Sequence, residues 1–526
     1  MGRIIDSIIG IDDCFKNEFG RESIKKRDFN KIRRYYDLYE PDEYGIDDET
    51  WDDLDMDEVF KKIDRSNSSP GEAALYCLLR NPVHDKEELK KRENFITGII
   101  NNTDMRIKMQ SAFFRLGYDK KNNFLEMLQD EAVENKSKFY GYLFLGKILP
   151  FVLIAGTIIL RQPAFLMALF ILVLINMLIN NYEKKHVKSN GMIYLREIIS
   201  CAKRVSKIDG ELIKEYTNKI KALLGELKQI DSATNAIYFA NVAGGAFEIF
   251  AIPFLLEETA YYRANTLIKA KEDQLLELYY CLGELEAYIS VASYRKELAG
   301  SYTVPIFTDE LNLKVSNGVH PLIKDAVPNS IKFDKKGIVL TGTNMSGKST
   351  FLRMLGLNMV LAQCFNFTLT ERYEGCFFNI VTSISPNDDV TMGKSYYMAE
   401  AESLLRIINA LNKELPVFCP IDEIFRGTNP IERIAASAEI LTYINSKKSI
   451  SIVATHDREL TDILKENYEF YYFSEKVNET GLTFDYKIKK GVTKTRNAIK
   501  LLDFIGYPKE IINNSFKRAE KLEKYI

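Results

Sequence analysis

The sequence predicts an α/β domain over roughly its last 225 residues, preceded by an all-α region that carries an apolar helical hairpin. Three observations carry that reading. Around residue 340 a strand–loop–helix pattern encloses the run GTNMSGKS. Upstream, apolar residues recur every three or four positions over long stretches, the period of a helix with one buried face. Between residues 142 and 180 two uncharged apolar runs interrupt that pattern.

In chain order, residues 1–40 read as an N-terminal extension. Its start, MGRIIDSIIGIDDCF, places acidic residues where a secretion signal needs an unbroken apolar core, so no such signal is expected. The helical region follows over 41–300. Ile213, Tyr216, Ile220, Leu223, Leu227 and Ile230 keep a helical spacing, as do Ile268, Leu275, Leu278, Leu282, Leu285 and Ile289. The Lys and Arg clusters on these helices read as solvated faces rather than a track for DNA.

Within that region, Ile148–Leu160 is uncharged, Arg161 and Gln162 follow, and Pro163–Ile179 is uncharged again. Each run is close to the length of about 17–20 residues that crosses a bilayer, the first if it extends back to Tyr142 past Lys147. Lys136, Lys138 and Lys147 lie before the first run, and Lys184, Lys185 and Lys188 after the second. Such flanks place both ends in the cytoplasm, as a two-helix membrane hairpin requires. The competing reading is a helical hairpin buried in a soluble core. A third apolar stretch, Ala236–Leu256, contains Asn241, Glu248 and Pro253 and reads as a buried helical segment rather than a span.

Of the 526 residues, Lys and Arg number 71 against 73 Asp and Glu, a formal net charge of −2. A surface adapted throughout to nucleic acid would be basic, so any DNA contact must come from a local patch. Seven cysteines are scattered without a CxxC pair, which reads as reduced thiols of a cytosolic protein.

The chain turns at Ser301–Pro305, and strands then alternate with helices over 301–526. GTNMSGKS, Gly342 to Ser349, fits GxxxxGK[ST], follows the apolar strand Gly337–Thr341 and opens a helix at Thr350. Glycines let backbone N–H groups turn toward phosphate, and the helix N-terminus adds partial positive charge. Lys348 is placed to reach the β- and γ-phosphates of a nucleoside triphosphate and Ser349 to ligate Mg²⁺. Downstream, the apolar run Val417–Ile421 ends in Asp422 and Glu423, a Walker B arrangement in which Asp holds the Mg²⁺ shell and Glu orients water. Pro420 is awkward there, since it removes a donor from a strand expected to be central. Another buried strand, Ile450–Thr455, ends at His456, at the strand edge where open α/β sheets bind ligands. His456 is a candidate γ-phosphate sensor; a surface histidine is the alternative.

These segments together resemble the MutS family. LTGTNMSGKSTFLR is similar to its P-loop, including Asn344 and Met345, and IDEIFRGTNPIERIAAS to its Walker B and the loop after it, with Arg426, Gly427 and Thr428. DDVTMGKSYYMAEAESLLRII is similar to the segment with the family's signature serine, here Ser395, and its glutamate, here Glu400. ATHDREL resembles its switch histidine segment, YKIKKGVTKTRNAIKLLDFIGYPKEII its C-terminal tail, and His320-Pro321-Leu322 also fits. The likeness is dense over about 315–515 and weaker over 53–96 and 285–290. Only about 40 residues precede the helical core, so the mismatch-recognition and connector domains are expected to be missing. The apolar hairpin falls where levers and DNA clamp would be, and this resembles a membrane-associated branch of the family. No C-terminal nuclease domain is expected.

The resemblance implies an ABC-type ATPase that uses ATP and Mg²⁺ in a head-to-tail homodimer. Asn344, Met345, Ser346, Gly347, Lys348 and Thr350, with Gly342, would hold phosphates, Ser349 and Asp422 the metal, and Glu423 the water. Ser395 would complete the site of the other subunit. Adenine would sit near Val327 and Tyr486, the latter alternatively a core aromatic. Two functions are implied: a DNA-binding, repair-related ATPase at the cytoplasmic face of the cell membrane, or an ATP-switched membrane assembly factor without DNA. An ABC transporter is disfavoured, because two spans cannot line a pathway.

Overall fold

The computed structural model describes residues 10–129, 136–183, 189–242, 251–333, 335–343, 346–384, 396–425, 429–478, 481–492, 499, 502 and 505–522. The chain divides into two compact units. One comprises Met1–Glu40, Ile63–Cys77 and Phe95–Glu297, the other Pro41–Lys62, Leu78–Asn94 and Leu298–Ile526.

Among its described residues the first unit contains helices and no strand. Its apolar hairpin is made of α1 (Ser137–Leu160), which contains a π-helical turn at Phe144–Ile148, and α2 (Pro163–Glu183). Pro150 falls on the first turn after that irregularity, where its missing N–H is least costly. Both helices are exposed along most of their length, with Ile159 at 76%, Met167 at 67% and Leu178 at 70% of full exposure. Further on come α3 (Leu256–Lys269) and the 26-residue α4 (Glu272–Glu297). Helix α4 is the axis of the unit, buried at nearly every position from Leu275 to Arg295. Two glycines set how closely it is crossed by the segment around Pro70. A Cβ on Gly283 would lie 2.2 Å from the Pro70 carbonyl oxygen, and one on Gly71 2.2 Å from Glu286 Oε2. The N-terminal extension is tied into the same unit, Lys25 pairing with Asp64 at 2.7 Å and Glu72 at 3.0 Å.

The second unit contains two sheets. The larger has the order β10-β9-β4-β8-β7-β6. Its strands are β4 (Gly337–Thr341), β6 (Asn379–Ile380), β7 (Val417–Asp422), β8 (Ser449–Ala454), β9 (Tyr468–Asn478) and β10 (Gly481–Lys490). All neighbours are parallel except the β9–β10 hairpin. Every residue of β4, β7 and β8 is buried, which is why these strands are dominated by apolar residues. Helix α5 (Lys348–Phe365) packs on β7 and β8 and is buried along nearly its whole length. Val339, Val417, Cys419, Ile421 and Val453 share a second core with α6 (Tyr396–Ala410) and α7 (Pro430–Asn445), through Ile407 and Leu441. The smaller sheet, ordered β1-β5-β2-β3, comprises β1 (Ile306–Phe307), β2 (Leu313–Gly318), β3 (Asn329–Phe333) and β5 (Arg372–Gly375).

Pro420 costs little in this arrangement. Val417 N–H donates toward the β8 side, to Lys448 O, so alternate residues direct their N–H groups toward β6. Pro420 is one of these, and β6 is two residues long and the last strand of the sheet. Its carbonyl still accepts from Ser383 N–H at 3.0 Å.

The stretches 41–62 and 78–94, which the sequence reading placed in the helical region, group with this second unit. The short helix Asp48–Asp53 shows how. Asp53 Oδ2 accepts from Thr382 Oγ1 at 2.6 Å and from Ile384 N–H at 2.9 Å, and Arg353 of α5 donates to the Asp53 carbonyl at 2.6 Å. Leu54 fills the space left by Gly356, where a Cβ would meet it at 2.7 Å.

Candidate nucleotide site

Strands β4, β7 and β8 end side by side, Leu340 opposite Ala454 and Asp422 opposite Ala454 on the other flank. The register therefore delivers Gly342, Asp422, Glu423 and His456 to one edge of the sheet, the carboxyl edge at which ligands bind in open α/β folds. The loop after β4 depends on two glycines with positive φ, Gly342 at 149° and Gly347 at 107°. A side chain at Gly342 would also crowd Ser346 Oγ at 2.9 Å and Phe473 O at 3.0 Å.

Lys348 opens α5 and folds back over this loop. Its Nζ donates to Gly342 O at 3.0 Å and Thr343 O at 3.1 Å, and stands 3.4 Å from His456 Nε2. The same imidazole nitrogen lies 3.1 Å from Glu423 Oε1, so His456 bridges the lysine and the carboxylate. Beside them the Ser349 hydroxyl donates to Asp422 Oδ2. Glu423 has φ +62°, a strained value for a side-chain-bearing residue, and its N–H donates to Ala454 O at 2.8 Å.

A cavity of about 1060 Å³ opens over this edge. Lys348, Ser349, Asp422 and Glu423 line one part of it, and Val327 and Tyr486 another. Tyr486 is 45% exposed, which removes it from any core, and it lies against Gly347, with a Cβ there 3.3 Å from its Cδ1. A bulge in β10 between Phe484 and Ile488 turns it out, Tyr486 itself having φ +51°. Asn329 at the start of β3 holds that bulge. Its Nδ2 donates to Tyr486 O at 2.9 Å and Val327 O at 3.1 Å, while its Oδ1 accepts from Ile488 N–H at 2.9 Å. His320 also lines the cavity, and burial, with the nearby Arg353 charge, pushes its imidazole down to about 4. It is therefore neutral across the physiological range.

Gly347 and Thr350 line the cavity, and Ser346 is buried beneath it. Asn344, Met345 and Ser395 lie outside the described residues, as do Arg426, Gly427 and Thr428. Thr343, Asn329, Phe473 and the Asp53–Arg353 contact did not emerge from the motifs. Thr343 occupies a free position of the P-loop pattern, and the others act through contacts that no local pattern records.

The donor set suits a nucleoside triphosphate with Mg²⁺. Thr343 Oγ1 and Ser346 Oγ are buried without a hydrogen-bond partner among the described residues, inside the glycine loop. Buried polar atoms of this kind need a partner, and phosphate oxygens accept from hydroxyls. Ser349 and Asp422 offer two hard oxygen ligands. A Mg²⁺ ion bound with a triphosphate takes most of its shell from phosphates and water, so one or two protein oxygens suffice.

Residues 338–523 match the family profile of MutS domain V. This stretch is similar to MutS domain V. Three curated relatives, each named DNA mismatch repair protein MutS, extend the comparison. The protein from Thermus thermophilus is 28% identical over 286 residues, 51% of this chain and 34% of the relative. That from Fusobacterium nucleatum is 32% identical over 281 residues, 51% of this chain and 31% of the relative. That from Caldicellulosiruptor saccharolyticus is 23% identical across 95% of this chain and 65% of the relative. The domain match and these relatives support the MutS family, and the chain spans about a third of the length of the first two.

Proposed function

We propose that this chain is a MutS-like ATPase acting on DNA in repair or recombination, working as a homodimer and tethered by residues 142–180 to the cytoplasmic face of the cell membrane. The observation that carries the ATPase reading is the meeting of two contacts at one cavity. Ser349 bonds Asp422, and His456 bridges Lys348 and Glu423. In this reading Gly342, Asn344, Met345, Ser346, Gly347, Lys348 and Thr350 bind the phosphates of ATP. Ser349 and Asp422 hold Mg²⁺, which when bound neutralises developing charge on the phosphate oxygens. Glu423 orients the attacking water, and His456, touching both Glu423 and Lys348, relays the presence of the γ-phosphate. Val327 and Tyr486 take the adenine, and Ser395 reaches the site of the second subunit. In this reading the chain runs, in sequence, through a 1–40 extension, a 41–300 helical core and lever part and a 301–526 ATPase part, with 41–62 and 78–94 grouping with the ATPase unit.

Glu423→Gln tests the central assignment. The variant keeps the shape and hydrogen-bonding reach of the side chain but cannot accept a proton. It is expected to bind ATP normally and hydrolyse it at least ~10²-fold more slowly. Hydrolysis at the parental rate removes Glu423 from the chemistry.

A second reading, an ATP-switched membrane factor that no longer binds DNA, is favoured by one observation: the formal net charge of −2 gives DNA contact no compositional support. Retention on duplex and branched DNA at increasing salt separates the two, since binding through phosphates weakens steeply with salt. No retention on any DNA at low salt with ATP present eliminates the first.

A further inference from the structure

Helix α2 is apolar up to Ile175, and beyond it three of its polar residues form a buried row. Asn176, Asn180 and Glu183, spaced four and three residues apart, are all buried, while Met177, Leu178 and Tyr182 between them are exposed. The spacing puts the three on one face. Each is engaged with a different level of the neighbouring chain. At the base, Glu183 accepts from Lys138 Nζ at 2.8 Å and from the hydroxyls of Tyr142 and Tyr262, both at 2.7 Å. Further along, Asn180 Nδ2 donates to Glu258 Oε1 at 2.6 Å. Furthest in, Asn176 Nδ2 donates to two main-chain oxygens, Leu145 O at 3.1 Å and Pro253 O at 2.6 Å.

The last contact brings in residues 251–256, which the sequence reading kept apart from the hairpin. Here the chain makes a turn, with Leu255 at φ +49°, and enters α3. Gly146 admits this turn closely, since a Cβ there would lie 2.2 Å from Phe254 O. The Phe254 ring meets that of Phe151, 6.1 Å between centroids, and Phe151 is itself 62% exposed. A turn leaves carbonyl groups without helical partners, a serious cost in hydrocarbon though not in water. Asn176 supplies the donor for one of them, which gives an asparagine in an otherwise apolar helix a physical reason.

Depth follows from helix geometry. Lys138, whose side chain is 35% exposed, marks the watered end of the row at Glu183. Seven residues separate Glu183 from Asn176, so Asn176 and its partner Pro253 lie ~10 Å further in.

We propose that residues 251–256 are embedded in the lipid bilayer with the hairpin, as a third element that turns within the apolar layer and is held there by the Asn176–Asn180–Glu183 row. The inference rests on the membrane reading of 142–180, and the partner is the acyl-chain region of a phospholipid bilayer.

Tryptophan quenching by phosphatidylcholine brominated along its acyl chains tests both. The full chain is reconstituted in such vesicles as Phe151→Trp, Phe254→Trp or Ile252→Trp, and Tyr443→Trp, on the exposed side of α7, serves as the water-side control. Native helical content by circular dichroism, together with ATP binding, reports that both units of each variant have folded, and Ile252→Trp reads the turn independently if Phe254→Trp does not fold. Quenching at 151 and at 252 or 254, beyond that of the control, is the expected result. Quenching at 151 alone overturns the third element and leaves the hairpin in the membrane. Quenching at none of them overturns the membrane reading and this inference with it.

Discussion

Glu423 reaches the cavity because its backbone is turned. With φ at +62° immediately after β7, the chain breaks out of the strand and aims the carboxylate at His456 instead of into the sheet. The motif reading found Asp422, Glu423, Lys348 and His456 because each follows an apolar run or a glycine pattern that local sequence displays. Tyr486 was legible only as a candidate, because what exposes it is a bulge whose fixing residue, Asn329, lies 157 positions away. Its assignment makes a sharp prediction. Loss of a stacking face is worth roughly 0.5–1.5 kcal/mol. Tyr486→Ala should therefore raise KM for ATP by about two- to tenfold with kcat little changed. An unchanged KM would return Tyr486 to the status of a surface aromatic. A second residue-scale prediction concerns Glu286, fully buried on α4. Burial pushes its carboxyl up to about 7, against the pull of the Ser68 hydroxyl and Asn67 N–H that it accepts from. The unfolded chain ionises this group near pH 4.3. Between those values the folded state holds more protons than the unfolded one, so this group's contribution to stability falls as pH rises through the window. Glu286→Gln should flatten that dependence and stabilise the protein at pH 8 by on the order of 1–3 kcal/mol. Denaturant melts of both proteins at pH 5 and pH 8 measure it, and parallel pH profiles would contradict it.

At the scale of elements, β4, β7 and β8 were readable because burial on both faces makes each rich in apolar residues. The proline in β7 is an objection only while its neighbours are unknown; its nitrogen faces the edge of the sheet beyond the two residues of β6, where a missing donor interrupts no strand pairing. Helix packing was less legible. The crossing at α4 depends on glycines that carry no periodic signal, and Gly283 matters only because Pro70, about two hundred residues earlier, needs its space. Gly283→Ala should destabilise the helical unit by about 1–3 kcal/mol, the cost of overpacking a tight contact. Thermal unfolding checks this, and a wild-type midpoint would mean that the crossing relaxes freely. The polar row on α2 belongs to the same category. Asn176, Asn180 and Glu183 interrupt an apolar pattern, yet only the folded neighbours reveal what they hold.

At the scale of the whole molecule, the division of the chain was the part least accessible from sequence. Asp53 and Thr382, 329 residues apart, share a hydrogen bond, and the stretch around Asp53 groups with the α/β unit. Local periodicity identifies such a stretch as helical but says nothing of which core it joins. The MutS domain V match covers the part of the chain whose function rests on adjacent loops, where sequence and geometry agree most closely. The proposed function depends on that site working as an enzyme. Steady-state hydrolysis of Mg·ATP by the full chain, beside Lys348→Ala, tests this most directly. Mg²⁺-dependent turnover that the lysine variant loses is the predicted result. A wild-type protein without turnover, or a variant that retains it, would contradict the account.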